Sequence, residues 1–305
     1  MKKIFVMGSI NIDMTVSIPR FHLPGETIEG TGFSTYTGGK GGNQAVAAAR
    51  LGADVSLIGC VGQDDFGLRY IDIFRREGIN TDGVMTVSGA PTGTALIEVA
   101  QSGDNRIAYV TGANGALTSE KIDTQAQRLK EADIFMFQME TPLPDAFHAA
   151  EIVKRAHGCV ILDPAPARPL TQKQLRLCDF ITPNETELAL LTDMPVETIE
   201  DATKAAQKLI ADGAKAVLNK RGAQGALLVT AGGATLYEGF QVNAIDTTAA
   251  GDSFNAGFAV GLSMGKTVGE SIRLANAVGA LSTTAAGAQA AMPSLEAALA
   301  LMRQG

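Results

Sequence analysis

The sequence DTTAAGDSFN, at residues 246–255, is the stretch that decides the fold and the chemistry expected of this chain. Its small residues Ala249, Ala250 and Gly251 lead directly into a predicted helix. A helix N-terminus presents unpaired N–H donors and the positive end of the helix dipole, so small residues there let the backbone approach a phosphate closely. Asp252 adds one carboxylate to the same turn. A phosphate cradle beside an acid fits phosphoryl transfer to a hydroxyl, although an ordinary capped helix would have the same local sequence.

A second glycine-rich loop, GGKGGNQ at residues 38–44, precedes an alanine-rich helical stretch. Its spacing differs from the GxxxxGK[ST] of a P-loop. No GxGxxG follows the first predicted strand, which argues against a nicotinamide-dependent dehydrogenase. Lys40 and Asn43 suit a polyol, because an ammonium donates hydrogen bonds and an amide both donates and accepts them. The loop therefore favours a sugar site.

Further motifs accompany these two loops in a fixed order along the chain. They are GSINID at 8–13, QMETP at 138–142, DPAPA at 163–167, TPNETE at 182–187, KRGAQG at 220–225 and GAQ at 287–289. With the two loops, they make the chain resemble the ribokinase-like family of carbohydrate kinases over its whole length. The resemblance implies phosphorylation of the primary hydroxyl of a sugar by ATP. D-Ribose is the expected substrate, with 2-deoxyribose, a ketohexose and a nucleoside as alternatives.

The resemblance also implies a role for each matched residue. Asp252 is implied to be the general base, with Ala249, Ala250 and Gly251 forming the anion hole for the phosphoryl group. Sugar-binding residues are implied at Asn11, Asp13, Gly39, Lys40, Asn43, Glu140 and Asp252. Nucleotide-binding residues are implied at Asn184, Lys220, Gly222, Gly225, Gly251 and Asn276. Glu187 is implied to hold Mg²⁺ through water, which suits an ion that keeps most of its waters.

Several of these residues have an ordinary structural explanation as well. Asp13 follows the first predicted strand, where an aspartate often caps a turn. Glu140 ends an apolar run and would also serve as a helix-start acid. Asn184 and Glu187 have the spacing of a capping box, in which two side chains cap a helix reciprocally. For this last pair both interpretations can hold together.

Two residues depart from the family pattern. Lys220 stands where ribokinase-like chains commonly have threonine, and its side chain either reaches ATP phosphates or points to solvent.

The resemblance implies a monovalent-cation site at Asp246, Thr248, Ser282, Ala285 and Gly287. Ala291 falls where many relatives carry a serine ligand, which weakens the case for activation by K⁺. ATP and Mg²⁺ are therefore the expected cofactors, with K⁺ as an open question.

Composition narrows the class of protein further. The chain has 305 residues and a net charge of −7, and it shows no cluster of Lys and Arg that would favour nucleic acid. The N-terminal apolar run at 4–7 is too short for a signal peptide or a membrane span. The three cysteines have no CxxC spacing, so reduced core cysteines are predicted. A cytoplasmic enzyme that binds neither nucleic acid nor membrane is expected.

Apolar runs alternate with helical patterns, which predicts an α/β fold with a mostly parallel central sheet flanked by helices. Strands are predicted at 3–7, 55–60, 134–138, 160–163, 180–182, 216–219 and 226–229. Helices are predicted at 42–51, 66–77, 119–131, 144–156, 199–212, 252–264, 268–284 and 294–303. Extended segments at about 11–37 and 92–111 interrupt this rhythm and predict a small separate sheet. We expect one domain over 1–305; the resemblance implies that the small sheet is a lid and joins two copies into a homodimer.

A ribokinase-like fold used as a sugar or nucleotide sensor, without turnover, belongs to a different functional class. Asp252 argues against this alternative, because a sensor does not need a base beside its phosphate cradle.

Overall fold

The computed structural model describes residues 1–304, and within them the larger of two sheets has nine strands. They are β1 (Ile4–Met7), β4 (Val55–Gly62), β5 (Asn80–Val87), β8 (Ile134–Phe137), β9 (Cys159–Leu162), β10 (Phe180–Ile181), β11 (Ala216–Lys220), β12 (Ala226–Thr230) and β13 (Gly233–Tyr237). The strand order is β13-β12-β11-β10-β9-β8-β1-β4-β5. All neighbours are parallel except β11–β12 and β12–β13, which are antiparallel. The predicted mostly parallel sheet is confirmed.

Helices cover both faces of this sheet. They are α1 (Lys40–Arg50), α2 (Asp65–Arg76), α3 (Ser119–Thr124), α4 (Ala126–Leu129), α5 (Leu143–Arg155), α6 (Gln172–Leu177), α7 (Glu185–Thr192), α8 (Ile199–Ala211), α9 (Ala250–Ser263), α10 (Val268–Ser282) and α11 (Leu295–Met302). Successive side chains of a strand point to opposite faces. Ile4 and Val6 of β1 accordingly pack in a core with α1, α9 and α10, whereas Phe5 and Met7 pack in a second core with α5 and α8.

The smaller sheet is built from the two predicted interruptions. Its strands are β2 (Asn11–Ile18), β3 (Gly32–Gly38), β6 (Gly93–Ala100) and β7 (Asn105–Val110), in the order β3-β2-β6-β7. The outer pairs are antiparallel and the central β2–β6 pair is parallel. β2 starts only four residues after β1 ends, so the first residues of this sheet lie next to the carboxyl edge of the larger one. β3, the second strand of the segment predicted at about 11–37, begins at Gly32.

The structure differs from the sequence predictions at several elements, among them helix α6, which was not predicted. The helix expected at 119–131 is divided into α3 and α4 around Gln125. β5 was not predicted because Asp82 and Gly83 disrupt its apolar pattern, yet it pairs in parallel with β4. β13 was not predicted either; it is a mostly exposed edge strand that pairs with no strand but β12 among residues 1–304, so its sequence carries little apolar signal. Within the described residues, no helix combines the length and the apolar character that crossing a membrane requires.

Candidate active site

Polar residues converge where β1, β8, β9 and β11 end. In a parallel sheet these carboxyl ends share one edge, which is where α/β folds place their ligands. A cavity of about 610 Å³ lies here and is lined by Lys40, Asp163, Lys220 and Asp252, together with the start of α9. These four side chains come from different parts of the chain, so tertiary packing assembles the site.

The phosphate cradle is predicted at the start of α9. Ala249 has φ 59° and ψ 16°, a left-handed conformation that non-glycine residues adopt rarely and that is common at functional sites. Helix α9 begins at Ala250, and no side chain caps it. Ala250 N donates to Thr247 O at 3.2 Å, whereas Gly251 N and Asp252 N have no acceptor among residues 1–304 and are free to bind an anion.

Asp252 is buried in the first turn of α9, with 5% of its surface exposed. Its two carboxylate oxygens accept hydrogen bonds from Asn43 Nδ2 and Gln44 Nε2, both at 3.0 Å. Burial raises the pKa of Asp252 to about 6, against the opposing charge of Lys40 and with a further increase from Asp163. A carboxyl group with a pKa near the working pH is suited to accept a proton.

Gln44 is a site residue that the sequence predictions missed. Its Nε2 donates to Asp163 Oδ2 as well as to Asp252 Oδ1, both at 3.0 Å. Its Oε1 accepts from Gln138 Nε2 at 2.7 Å, which fixes the orientation of the Gln44 amide. A buried glutamine in an alanine-rich helix gives no sequence signal beyond its position next to Asn43.

Two ammonium groups lie among the carboxylates of the cavity. Burial lowers the pKa of Lys40, but Asp252, Asp163 and Glu140 outweigh that effect and raise it overall. Lys220 Nζ lies 2.8 Å from Asp163 Oδ1 and its side chain is 12% exposed. Lys220 therefore points into the cavity, and the alternative that it points to solvent is wrong.

Residues that are predicted to bind the sugar lie close together at the junction of the two sheets. Glu140 accepts hydrogen bonds from Ser9 Oγ and, at 3.5 Å, from Lys40 N. Burial raises the pKa of Asp13 to about 6, and the charge of Glu140 adds to the increase. Asn11 Oδ1 accepts from Asn114 Nδ2 at 2.7 Å, and Asn114 is a second residue that the sequence predictions missed.

Positions 38 and 39, which adjoin Asn11 and Asp13, require glycine. Gly39 has φ 83°, and a Cβ there would lie 2.7 Å from Asn11 N. A Cβ on Gly38 would lie 2.2 Å from Asp13 Oδ2. Both distances are shorter than a Cβ contact allows. The loop therefore has glycine where it packs against Asn11 and Asp13.

The residues predicted to bind the nucleotide all line the cavity, whereas of those predicted to bind the sugar only Lys40 and Asp252 do so. Asn184 and Glu187 form the predicted capping box, with reciprocal hydrogen bonds of 2.7 Å at the start of α7. Gly222 and Gly225 have positive φ in the turn between β11 and β12. Asn276 Nδ2 donates to the carbonyls of Tyr237 and Glu238 at 3.0 Å, so it shapes the wall of the cavity through the backbone.

Two regions, one around Glu187 and one around Asp246, offer the oxygen ligands that cations prefer. Burial raises the pKa of Glu187 although the charge of Lys220 opposes it, and its carboxylate lies in the cavity. No group of three or more acidic, His or Cys side chains converges on one point within residues 1–304.

The predicted monovalent-cation residues gather around Asp246. Its Oδ1 accepts from Thr248 N at 2.9 Å and from Thr248 Oγ1 at 2.6 Å, and its Oδ2 accepts from Gly287 N at 2.8 Å. These hydrogen bonds outweigh the effect of burial and lower its pKa. The Ser282 hydroxyl donates to Gly279 O. Ala285 lies in the loop between Ser282 and Gly287, and Ala291 is buried.

Comparison with known proteins agrees with this geometry. The model of the pfkB family of carbohydrate kinases matches residues 1–295. The chain is 42% identical to a ribokinase of Haemophilus influenzae, over 98% of this chain and 97% of that protein. It is 38% identical to a deoxyribokinase of Salmonella typhi, over 96% of each. The structure of Arabidopsis thaliana ribokinase complexed with ribose and ATP matches with a TM-score of 0.95 at 35% identity, over 99% of each chain. The chain belongs to the pfkB family of carbohydrate kinases.

Proposed function

We propose that this carbohydrate kinase transfers the γ-phosphoryl group of ATP to the primary hydroxyl of D-ribose, giving D-ribose 5-phosphate. The observation that carries the proposal is the buried carboxylate of Asp252 in the first turn of α9, held by Asn43 and Gln44. Asp252 contacts Asn43, which is predicted to bind the sugar, and it lines the same cavity as the residues predicted to bind the nucleotide. The relatives named ribokinase, and the one solved with ribose and ATP, support the choice of substrates.

Asp252 accepts the proton of the attacking hydroxyl in this mechanism. The new bond joins the sugar oxygen to the γ-phosphorus as the bond to the ADP oxygen breaks. A carboxylate is a weak base, but a loose transition state requires a positioned nucleophile more than full deprotonation. Asn43 and Gln44 keep the carboxylate in one orientation, so its accepting oxygen has a fixed place.

The free N–H groups at the start of α9 stabilise the charge that develops on the phosphoryl oxygens. Removing one donor of this kind typically costs about 3 kcal/mol of transition-state stabilisation. Mg²⁺, when bound with the nucleotide near Glu187, neutralises phosphate charge. Asn184 caps α7 and thereby fixes Glu187 at the cavity wall.

The smaller sheet acts as a lid over the sugar, within a single domain. Asn11 and Asp13 come from its strand β2, so sugar binding and lid position are coupled. A closed lid excludes water, which otherwise competes with the sugar as acceptor. We further propose that two chains dimerise through this sheet.

We also propose that the protein is cytoplasmic. Cys60, Cys159 and Cys178 are all free, and burial raises the pKa of the Cys60 thiol to about 11. Free cysteines are typical of proteins in a reducing compartment.

2-Deoxyribose is the second candidate substrate, and the deoxyribokinase relative favours it. Asp13 distinguishes the two sugars, because a carboxylate can accept from two adjacent hydroxyls and deoxyribose lacks one of them. An unpaired buried acceptor costs roughly 1–3 kcal/mol, so ribose should be favoured by about one to two decades in kcat/KM.

A coupled assay of ADP release over ribose, 2-deoxyribose, fructose and adenosine tests the proposal. Ribose should have the highest kcat/KM. Equal efficiency on ribose and 2-deoxyribose would contradict the proposal, as would a clear preference for fructose or adenosine. Absence of turnover with all four, in a protein that binds ribose, would favour the sensor.

A further inference from the structure

The ammonium of Lys220 lies beside the phosphate cradle. Lys220 is the last residue of β11, and its side chain is largely buried in the cavity. A Cβ built on Gly251 would lie 3.4 Å from Lys220 Nζ. The ammonium is thus adjacent to the first turn of α9, where free N–H groups already favour an anion.

Asp163 holds this ammonium in place. Asp163 follows strand β9, its side chain is 4% exposed, and its Oδ1 accepts from Lys220 Nζ at 2.8 Å. Its Oδ2 accepts from the same Gln44 amide that binds Asp252. The Gln44 amide therefore links Asp252 to Asp163, which in turn binds Lys220. This hydrogen-bond network sets the distance between Lys220 and Asp252.

Asp163 is the one hydrogen-bond partner of Lys220 Nζ among residues 1–304. An ammonium has three donors, so two remain for a ligand in the cavity. The transferred phosphoryl group spreads negative charge over its equatorial oxygens. A fixed positive charge at that place, away from bulk water, stabilises the transition state without reorganisation.

We infer that Lys220, positioned by Asp163, contacts the phosphoryl group during its transfer and is a further catalytic residue of this kinase. The inference rests on the proposed function, because it requires phosphoryl transfer at the start of α9. It also makes Asp163 a positioning residue: its carboxylate holds the ammonium at the cradle before the nucleotide arrives.

The first test compares Lys220→Met, Lys220→Arg and the matched control Lys215→Met. Lys215 adjoins the other end of β11 and pairs with Asp179 at 2.8 Å, outside the cavity. In Lys220→Met, kcat should fall by roughly 10²–10³, as for loss of a transition-state donor. KM for the sugar should stay within about threefold, because the lost contact is made in the transition state. Lys220→Arg should recover part of kcat, and Lys215→Met should retain that of the wild type.

A binding measurement supplies a readout that does not depend on turnover. Titration calorimetry would compare MgADP alone with MgADP, sugar and aluminium fluoride, which imitates the transferred phosphoryl group. Wild-type protein should bind the fluoride complex more tightly than MgADP, and Lys220→Met should lose most of that difference. An unchanged difference would overturn the inference.

The double variant Lys220→Met/Asp163→Asn separates catalysis from folding. Lys220→Met leaves the Asp163 carboxylate buried without its cation, whereas the double variant removes both charges. If Lys220 only neutralises Asp163, the double variant should recover more than about a tenth of wild-type kcat, and the inference fails. Failure of the wild type to phosphorylate ribose would instead reject the proposed substrate. The calorimetric comparison would then be run with whichever sugar is phosphorylated.

Discussion

At the scale of single residues, the chemistry depends on Asp252. The change Asp252→Asn keeps the shape of the side chain but removes the proton acceptor. We expect kcat to fall by at least roughly 10²–10⁴, which is the usual contribution of a general base. Affinity for MgADP should remain close to that of the wild type, because the phosphate cradle is backbone. Steady-state kinetics with nucleotide titration measures both, and a variant with more than about a tenth of wild-type kcat would reject this role.

The pH dependence follows from two buried carboxyl groups. Burial raises the pKa of both Asp13 and Asp252 to about 6. Both groups must be ionised, one to accept from sugar hydroxyls and one to accept a proton. The value of kcat/KM for ribose should therefore fall as pH drops through about 6, with a limiting slope near 2 on a logarithmic plot.

The variant Asp13→Asn tests which groups are responsible. Asparagine does not titrate, so the limiting slope should drop to about 1 while the overall kcat/KM also falls. A wild-type profile that is flat down to about pH 5 would contradict the assignment of these two carboxyl groups.

At the scale of elements, the loop after α10 and the segment before α9 determine the response to K⁺. Asp246, Thr248 and Gly287 are already joined by hydrogen bonds, and Ala291 has no hydroxyl to offer a cation. Lys220 brings a fixed positive charge next to Gly251 at the start of α9. A fixed ammonium can replace part of the effect of a bound cation on the anion hole. We expect turnover that requires Mg²⁺ and responds weakly to K⁺.

The measurement is kcat at saturating MgATP during titration with KCl, balanced by tetramethylammonium chloride at constant ionic strength. Activation below about tenfold, equivalent to roughly 1.4 kcal/mol, is the expected result. Greater activation would show that backbone carbonyls suffice for a working cation site without the serine.

At the scale of the whole molecule, the smaller sheet exposes apolar side chains on both faces. Leu96 and Ile107 are 49% and 60% exposed. Ile107 is paired with Ile97, the neighbour of Leu96, so the two exposed side chains lie on opposite faces. The exposed Phe33 and Val110 share the face of Leu96, and an apolar face of this kind is typical of an interface between subunits. We expect a dimer formed through this sheet.

The double variant Leu96→Asp/Ile107→Asp should convert the dimer into monomers, because it introduces charge on both faces of the sheet. Sedimentation velocity measures the change. The control is Leu68→Asp on α2, where the leucine is 64% exposed but lies outside the smaller sheet. A monomeric wild type, or a double variant that stays dimeric, would argue against this interface.

The sequence by itself determined the features that depend only on residues close together in the chain. The α9 cradle, the Asn184–Glu187 capping box and the alternation of strands and helices are local patterns, so composition and spacing reveal them. Tertiary structure alone decided the contacts between distant segments. Gln44 meets Gln138 and Asp163 across 94 and 119 positions, and Lys220 meets Asp163 across 57. Such contacts leave no periodic signal, because they depend on how the strands are ordered in the sheet. That order also decides between the two alternatives left open for Lys220, because its side chain is largely buried next to the start of α9.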